Sequence, residues 1–355
     1  LRLVLSELVA ESPTRLLEVP PPAIDEGAAR GIAAEHFGEV GRATQLSSER
    51  DCNFLLVTRT ERLLLKFSNP AEEPAAVEAQ TAVLTYIANK DATLPIPRVR
   101  RTKSGEPWAH IPYAQGHLIV RLLDFLPGQS LNGSPRSVTQ RKNIGAMLAR
   151  LDRALRGFSH VGAERPIPWD ISRACELGDM LKYITDRKRR AQATRFLDRF
   201  ATHTRPMLRD LRTQVLHNDF NPHNLLVDAG ASDRISGIID FGDIVRGPLI
   251  NDLAVAAAYH VSADGPPLAQ VVDLVTAYHS INPLEHEEAD ALFDLITARQ
   301  AITGIITAWR AALHPENASY IMRNAPTAWH GLDRFSALAP SEARDILRGA
   351  CGIPA

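Results

Sequence analysis

The chain has 355 residues, 45% of them hydrophobic, enough for two lobes with sizeable cores. Its 40 Lys and Arg balance 41 Asp and Glu to a formal net charge of −1, so no global field draws in nucleic acid or an anionic membrane. Three scattered cysteines, Cys52, Cys175 and Cys351, exclude a disulfide framework and place the chain in a reducing cytoplasm.

Residues 1–23 lack clean periodicity and end in Pro20-Pro21-Pro22, so they read as an extended lead-in. Leu1–Ala10 is interrupted by Arg2 and Glu7 and does not resemble a secretory signal, and no segment approaches the ~20 apolar residues of a membrane span. The absence of an initiator Met is what a chain cut from something longer would show. Apolar positions Ile24, Ala28, Ile32 and Phe37 predict an amphipathic helix closed by Gly38. Strands follow at residues 43–46, 54–58 and 63–67. The loop Ser47–Asn53 between the first two holds no glycine.

Lys66 lies among leucines on the third strand, where a solitary ammonium either snorkels from an edge or serves a purpose. Residues 73–89 predict a helix carrying Glu78, with Glu72 and Glu73 as first-turn charges favoured by the helix dipole. Ile96–Val99 begins a strand, and His117–Phe125 is a dense apolar strand ended abruptly by Leu126-Pro127-Gly128. Arg121 within it reads equally as an inward charge paired locally. Beyond Gly128 the pattern turns helical: residues 138–155, two helices in 172–212, then 248–259, 268–279, 285–309 and 318–338.

Between the helical stretches stands Val215–Asp243. Two apolar runs, Asn224–Val227 and Ile235–Ile239, flank a polar turn and predict a buried hairpin. His217, Asp219, Asn221 and Asn224 sit at one mouth and Asp240 at the other. Carboxylates at the ends of buried strands call for a cation. A metal held between Asn224 and Asp240, with Asp219 left for proton work, answers that demand. Asp219 and Asn224 stand five residues apart, and Asp240-Phe241-Gly242 follows, as in the catalytic loop and metal segment of protein kinases.

His217-Asn218-Asp219-Phe220-Asn221-Pro222-His223-Asn224, Gly237–Asp243 and Asn251-Asp252-Leu253-Ala254 together resemble the aminoglycoside phosphotransferase and choline kinase superfamily. Within it, Ser48–Phe54, Leu65–Asn69 and Val120–Gly128 are most similar to the hydroxylysine kinases and their bacterial relatives, and the likeness runs roughly from Ile24 to Arg323. Asn218, Asn221 and His223 depart from the Gly, His and Gly of many relatives.

The resemblance implies an α+β, bilobal, protein-kinase-like fold. A small N-terminal β-sheet lobe with one helix (24–124) joins, through a linker (125–128), a larger, mostly helical C-terminal lobe (129–355). It implies a small-molecule kinase using ATP or GTP with Mg²⁺ to phosphorylate a hydroxyl of an amino acid or amino alcohol. Asp219, Asn224 and Asp240 are the catalytic residues, the last two as metal ligands. Lys66, paired with Glu78, and Ser48, Asp124 and Leu126 serve the nucleotide. Candidates on the acceptor side are Asp243 for an amine, Arg310 for a carboxylate and Trp169 for the wall. His217 supports the loop, and Asp252 either braces it or favours its own helix dipole. Fusion to further catalytic modules is a trait of such relatives. Rival readings are an aminoglycoside, choline or homoserine phosphotransferase, a catalytically silent nucleotide-binding domain, and a metallohydrolase using His217, Asp219, His223 and Asp240.

Overall fold

A computed structural model describes residues 15–354 apart from Glu49 and Gln115, so residues 1–14 of the expected lead-in lie outside the described residues. Within the rest of that lead-in, Arg15–Glu18 forms a short helical turn, and Leu17 is buried in the larger core. Helix α1 (Glu26–Ile32) is capped by the Asp25 carboxylate and runs through a wider turn to Gly38, whose φ of 76° ends it in the left-handed conformation glycine adopts without strain.

Strands β1 (Arg42–Leu46), β2 (Cys52–Val57) and β3 (Arg62–Phe67) form an antiparallel meander. Helix α2 (Pro74–Lys90) follows, and then β4 (Val99–Arg100), β5 (Ala109–Tyr113) and β6 (Gly116–Asp124). Strand order in this six-stranded sheet is β1-β2-β3-β6-β4, with β5 also paired to β6. Period-two alternation divides its residues between two faces. Phe54, Leu56, Leu63, Leu65, Phe67, Val120 and Leu122 build a core with α1. Asn53, Lys66 and Arg121, register partners on β2, β3 and β6, stand on the opposite face.

The chain leaves β6 through residues 125–128 and pairs at once, as β7 (Gln129–Ser130), with the central hairpin. That hairpin is β9 (Leu225–Asp228) and β10 (Ala231–Ile238), preceded by β8 (Thr213–Leu216) and followed by β11 (Val245–Pro248), which pairs with β8. The expected hairpin is present, with register irregularities in β10. The β8–β11 pair and β5 were not expected.

Helix α3 (Val138–Leu155) packs on the hairpin, and α4 (Arg187–Arg199), α5 (Ile250–Ala257), α6 (Ala269–Ile281) and α7 (His286–Leu313) build the rest of the helical lobe. Residues 171–183 form 3₁₀ turns in place of a regular helix, the expected 318–338 helix is broken into shorter pieces, and a further helix spans Pro340–Cys351. A capping box joins Glu285 and Glu288 at the start of α7. By length and composition α7 could cross a bilayer, but it is the buried axis of this lobe. Gly145 lets α3 and α6 touch backbone to backbone, since a Cβ there would stand 2.1 Å from the Leu274 carbonyl oxygen.

Candidate active site

The two lobes enclose a cleft of about 520 Å³. Its walls include Ser48, Lys66, Asp124, Leu126, Trp169, Asp219, Asn224, Asp240, Asp243 and Arg310, residues drawn from both lobes and more than 260 positions of chain. Of the residues singled out from sequence, Glu78, His217 and Asp252 lie outside its lining.

The catalytic loop is set from behind. Asp252, fully buried at the start of α5, accepts the main-chain N–H groups of His217 at 2.8 Å and Asn218 at 2.6 Å. These two bonds tie the helix to the loop, while Asp252 also stands in the first turn of that helix. The His217 ring contacts the Ile239 carbonyl through Nε2 at 3.2 Å and the Asp219 N–H through Nδ1 at 3.3 Å. Burial holds its pKa below the usual histidine value, so the ring works as a neutral spacer between the loop and β10. Asn218 has φ of 62°, in the left-handed region where Asn is more tolerated than most residues. That accounts for an asparagine where many relatives carry glycine.

Asp219 is clamped on both oxygens. Oδ1 accepts from Asn221 Nδ2 at 2.8 Å and Arg299 Nη2 at 3.0 Å, and Oδ2 accepts from Asn224 Nδ2 at 2.6 Å. Burial raises its pKa to about 7 against the pull of Arg299, with Asp243 and Asp240 reinforcing the rise. Asn224 directs its amide N–H groups to Asp219, which leaves Oδ1 as the atom that could hold a metal. Asp240 adopts φ of 60° and takes the Gly242 N–H on Oδ1 at 3.2 Å, while its side chain stays 45% accessible. A carboxamide oxygen and an accessible carboxylate form a hard-oxygen set that suits Mg²⁺. The metallohydrolase arrangement is disfavoured because both histidine rings are engaged elsewhere, His223 Nε2 with Asn324 Oδ1 at 3.0 Å.

On the nucleotide side the structure corrects the expected ion pair. Lys66 Nζ is bound to Asp51 Oδ2 at 2.6 Å and lies 4.0 Å from Asp240 Oδ1, whereas Glu78 makes no ion pair among the described residues. The cause is the rotation of α2: its buried stripe includes Val77, Gln80, Val83, Leu84 and Ile87, so Gln80, not Glu78, faces the cleft and reaches the Gly242 carbonyl at 3.4 Å. Nor is Glu72 a surface first-turn charge. It precedes the helix, is buried, and is ion-paired to Arg165. Asp124 lines the cleft, with its carboxylate bonded to Arg100 Nε at 2.5 Å and its N–H to the Arg98 carbonyl, so that N–H is not offered to a base. The Leu126 N–H has no partner among the described residues.

Asp243 departs from its expected role as an amine receptor. Arg50, from the β1–β2 loop, donates to its Oδ1 at 2.7 Å. Burial would raise the Asp243 pKa, but the guanidinium overrides it and holds it below the ordinary range. Sequence reasoning missed Arg50 and also Arg299, whose guanidinium is 2% accessible inside α7, donates to the Trp169 carbonyl at 3.0 Å and lies 5.1 Å over the Trp169 ring. The legible signal was an arginine amid the apolar run of 291–306. The cleft lining also includes Tyr259, Thr303, Thr307, Arg310, Tyr320 and Arg323. Burial, with Arg323 nearby, lowers the Arg310 pKa to about 10.

A model of the Phosphotransferase enzyme family matches residues 42–293. Hydroxylysine kinase of Mus musculus is 26% identical over 350 residues, covering 92% of this chain and 93% of that protein. That of Xenopus laevis is 27% identical over 336 residues, covering 88% and 89%. Among solved structures, a microcompartment-associated aminopropanol kinase is similar with a TM-score of 0.67 at 18% identity, over 90% of this chain and 99% of that one. Amicoumacin kinase in complex with AMP-PNP and Ca²⁺ gives 0.63 at 14% identity, over 86% and 95%. At such identities the structural likeness speaks for the fold alone.

Proposed function

Because the chain belongs to the Phosphotransferase enzyme family, we propose that it transfers the γ-phosphoryl group of ATP or GTP, with Mg²⁺, to a hydroxyl of a small amino acid. It is a small-molecule kinase with an alcohol group as acceptor. The observation that carries the finer reading is the convergence of Asp219, Asn224, Asp240 and Lys66 on one cleft beside the unpaired Leu126 N–H.

In this reading the purine edge docks on Leu126, and Ser48 and Lys66 face the phosphates. Asn224 Oδ1 and Asp240 hold Mg²⁺, which when bound neutralises phosphoryl charge. Asp219, oriented by Arg299 and Asn221, accepts the proton of the acceptor hydroxyl. Those two contacts and the Asn224 amide fix its carboxylate plane, so the hydroxyl is positioned as well as deprotonated. We also assign residues 24–124 to the nucleotide lobe, 125–128 to the linker, 129–355 to the catalytic and acceptor lobe, and the protein to the cytoplasm.

The chemistry of the lining favours an amino acid over an amino alcohol or a polycationic aminoglycoside as acceptor. Arg310 and Arg323 line the cleft, and two of its carboxylates, Asp219 and Asp243, are matched by Arg299 and Arg50. A guanidinium binds a carboxylate through two parallel N–H bonds. The test is nucleotide consumption from ATP and GTP with panels of hydroxylated amino acids, their decarboxylated amino alcohols, choline and aminoglycosides. Acceptor-dependent turnover confined to the first panel supports the reading. Equal turnover of each amino alcohol and its parent amino acid contradicts the acceptor assignment, and absence of ATP and GTP binding contradicts the kinase assignment.

A further inference from the structure

Arg121 stands on β6 opposite Lys66, and it lines the cleft. Only 2% of the residue is exposed. Its guanidinium nevertheless makes no hydrogen bond or ion pair among the described residues, and its Nε is buried with no partner. A guanidinium carries five N–H donors and cannot shed its charge, so an unmatched one inside a fold is a standing penalty.

The surrounding carboxylates do not relieve it. Asp51 gives Oδ2 to Lys66 at 2.6 Å and Oδ1 to the Asn69 N–H at 2.9 Å. Glu72 is taken by Arg165, and Asp243 by Arg50. The acid left is Asp240, whose oxygens serve the Gly242 N–H and, in the reading above, the metal. Asp51, Glu72 and Asp240 act on Arg121 only at a distance, and burial still lowers its pKa. The local charges therefore leave one buried cation on the sheet face and one accessible acid across from it. A metal–polyphosphate complex satisfies both, the metal on the acid and phosphate oxygens on the cation.

We propose that Arg121 is a phosphate-binding residue, which takes oxygens of the nucleoside triphosphate from the sheet side of the cleft beside Lys66. The inference rests on the cleft being a nucleoside triphosphate site. Its chemical logic lies in the neighbouring loop: Ser47–Asn53 has no glycine with which to bring several main-chain N–H groups onto a phosphate, and Lys66 is already shared with Asp51. A planar fork of donors supplies what that loop lacks.

The experiment compares wild type with Arg121→Met, which keeps bulk and removes charge, and Arg121→Lys. Calorimetry measures binding of adenosine, AMP, ADP and ATP, and of the guanine series, each with Mg²⁺, and thermal denaturation is followed without ligand. Arg121→Met should bind the triphosphate about 10- to 100-fold more weakly, the range expected for losing a charge-assisted contact. It should bind the nucleoside unchanged and melt at a higher temperature than wild type, since an unmatched charge has gone. Arg121→Lys should fall between. Undiminished triphosphate affinity in Arg121→Met overturns the proposal, and so does a lower melting temperature or failure to fold, because either makes the charge a structural asset. Wild type that binds no triphosphate of either base removes the nucleotide reading itself, an outcome recognisable before any variant is made.

Discussion

Replacing Asp152 by Asn tests how the catalytic loop is held from behind. Asp152, on α3, is 1% exposed, and its Oδ2 accepts the Tyr278 hydroxyl at 2.6 Å. Its Oδ1 has no donor, and it faces Asp252, whose two oxygens are both occupied by main-chain N–H groups. Two buried carboxylates in contact cannot both be charged. Burial raises the pKa of both acids, that of Asp152 well above its ordinary value, and because Asp252 already accepts two N–H groups the geometry gives the shared proton to Asp152 and the charge to Asp252.

The folded pKa thus exceeds the unfolded value of about 3.9. The stability contributed by that proton is complete below about pH 4 and is lost as pH rises toward the folded value. Each pH unit in that window removes up to about 1.4 kcal/mol, whereas an amide at 152 stays neutral and can donate to Asp252 throughout. The stability of Asp152→Asn relative to wild type should therefore grow as pH rises from 4.5 to 6.5, with a slope of at most about 1.4 kcal/mol per pH unit. Urea denaturation at a series of pH values measures the difference, in which titrating groups outside the Asp152–Asp252 pair cancel. A difference that stays flat across those two units would mean that Asp152 is ionised in the fold and that the pair shares no proton.

Asp219→Asn should lower kcat by about 10²- to 10⁴-fold in a coupled assay while leaving the calorimetric affinity for nucleotide unchanged; turnover near that of wild type would remove Asp219 from the chemistry. Asp240→Ala should abolish the Mg²⁺ dependence of nucleotide binding, and a retained dependence would move the metal elsewhere. Gly145→Ala should destabilise the fold by about 1–3 kcal/mol even though alanine is the better helix former, because its Cβ must displace the Leu274 carbonyl. An unchanged melting temperature would mean that α3 and α6 separate freely.

The elements that repeat a period were legible from the chain. The leucine-rich alternation of β3 and β6, the hairpin around 225–238 and the apolar spacing of α3 and α7 stand where those patterns place them. The bilobal α+β architecture follows from them and from the family resemblance. Charge partnerships were not legible, because they depend on how one element is rotated against another. A turn of α2 decides between Glu78 and Gln80, and the depth of the β1–β2 loop decides whether Asp243 meets a ligand or Arg50. Strands β8 and β11 span four residues each and are joined only across distant sequence, so no local period announces them. Arg299 was concealed for the opposite reason: a long apolar helix reads as core, and one cation within it reads as an exception.

The short passage after β6 has one further effect. Gly128, at φ of 127°, lies so close to β9 and β10 that a Cβ would sit 2.6 Å from Ser236 Oγ, and Gln129 and Ser130 then pair directly with Val227 and Leu226. Leu126 is accordingly moored to the same ribbon that ends in Asn224 and Asp240, while Lys66 and Arg121 belong to the sheet above it. In the proposed function, a base seated at Leu126 would be gauged against Asn224 and Asp240 by a fixed ruler. Any rocking of the sheet would then move Lys66 and Arg121 relative to the phosphates without altering that measure.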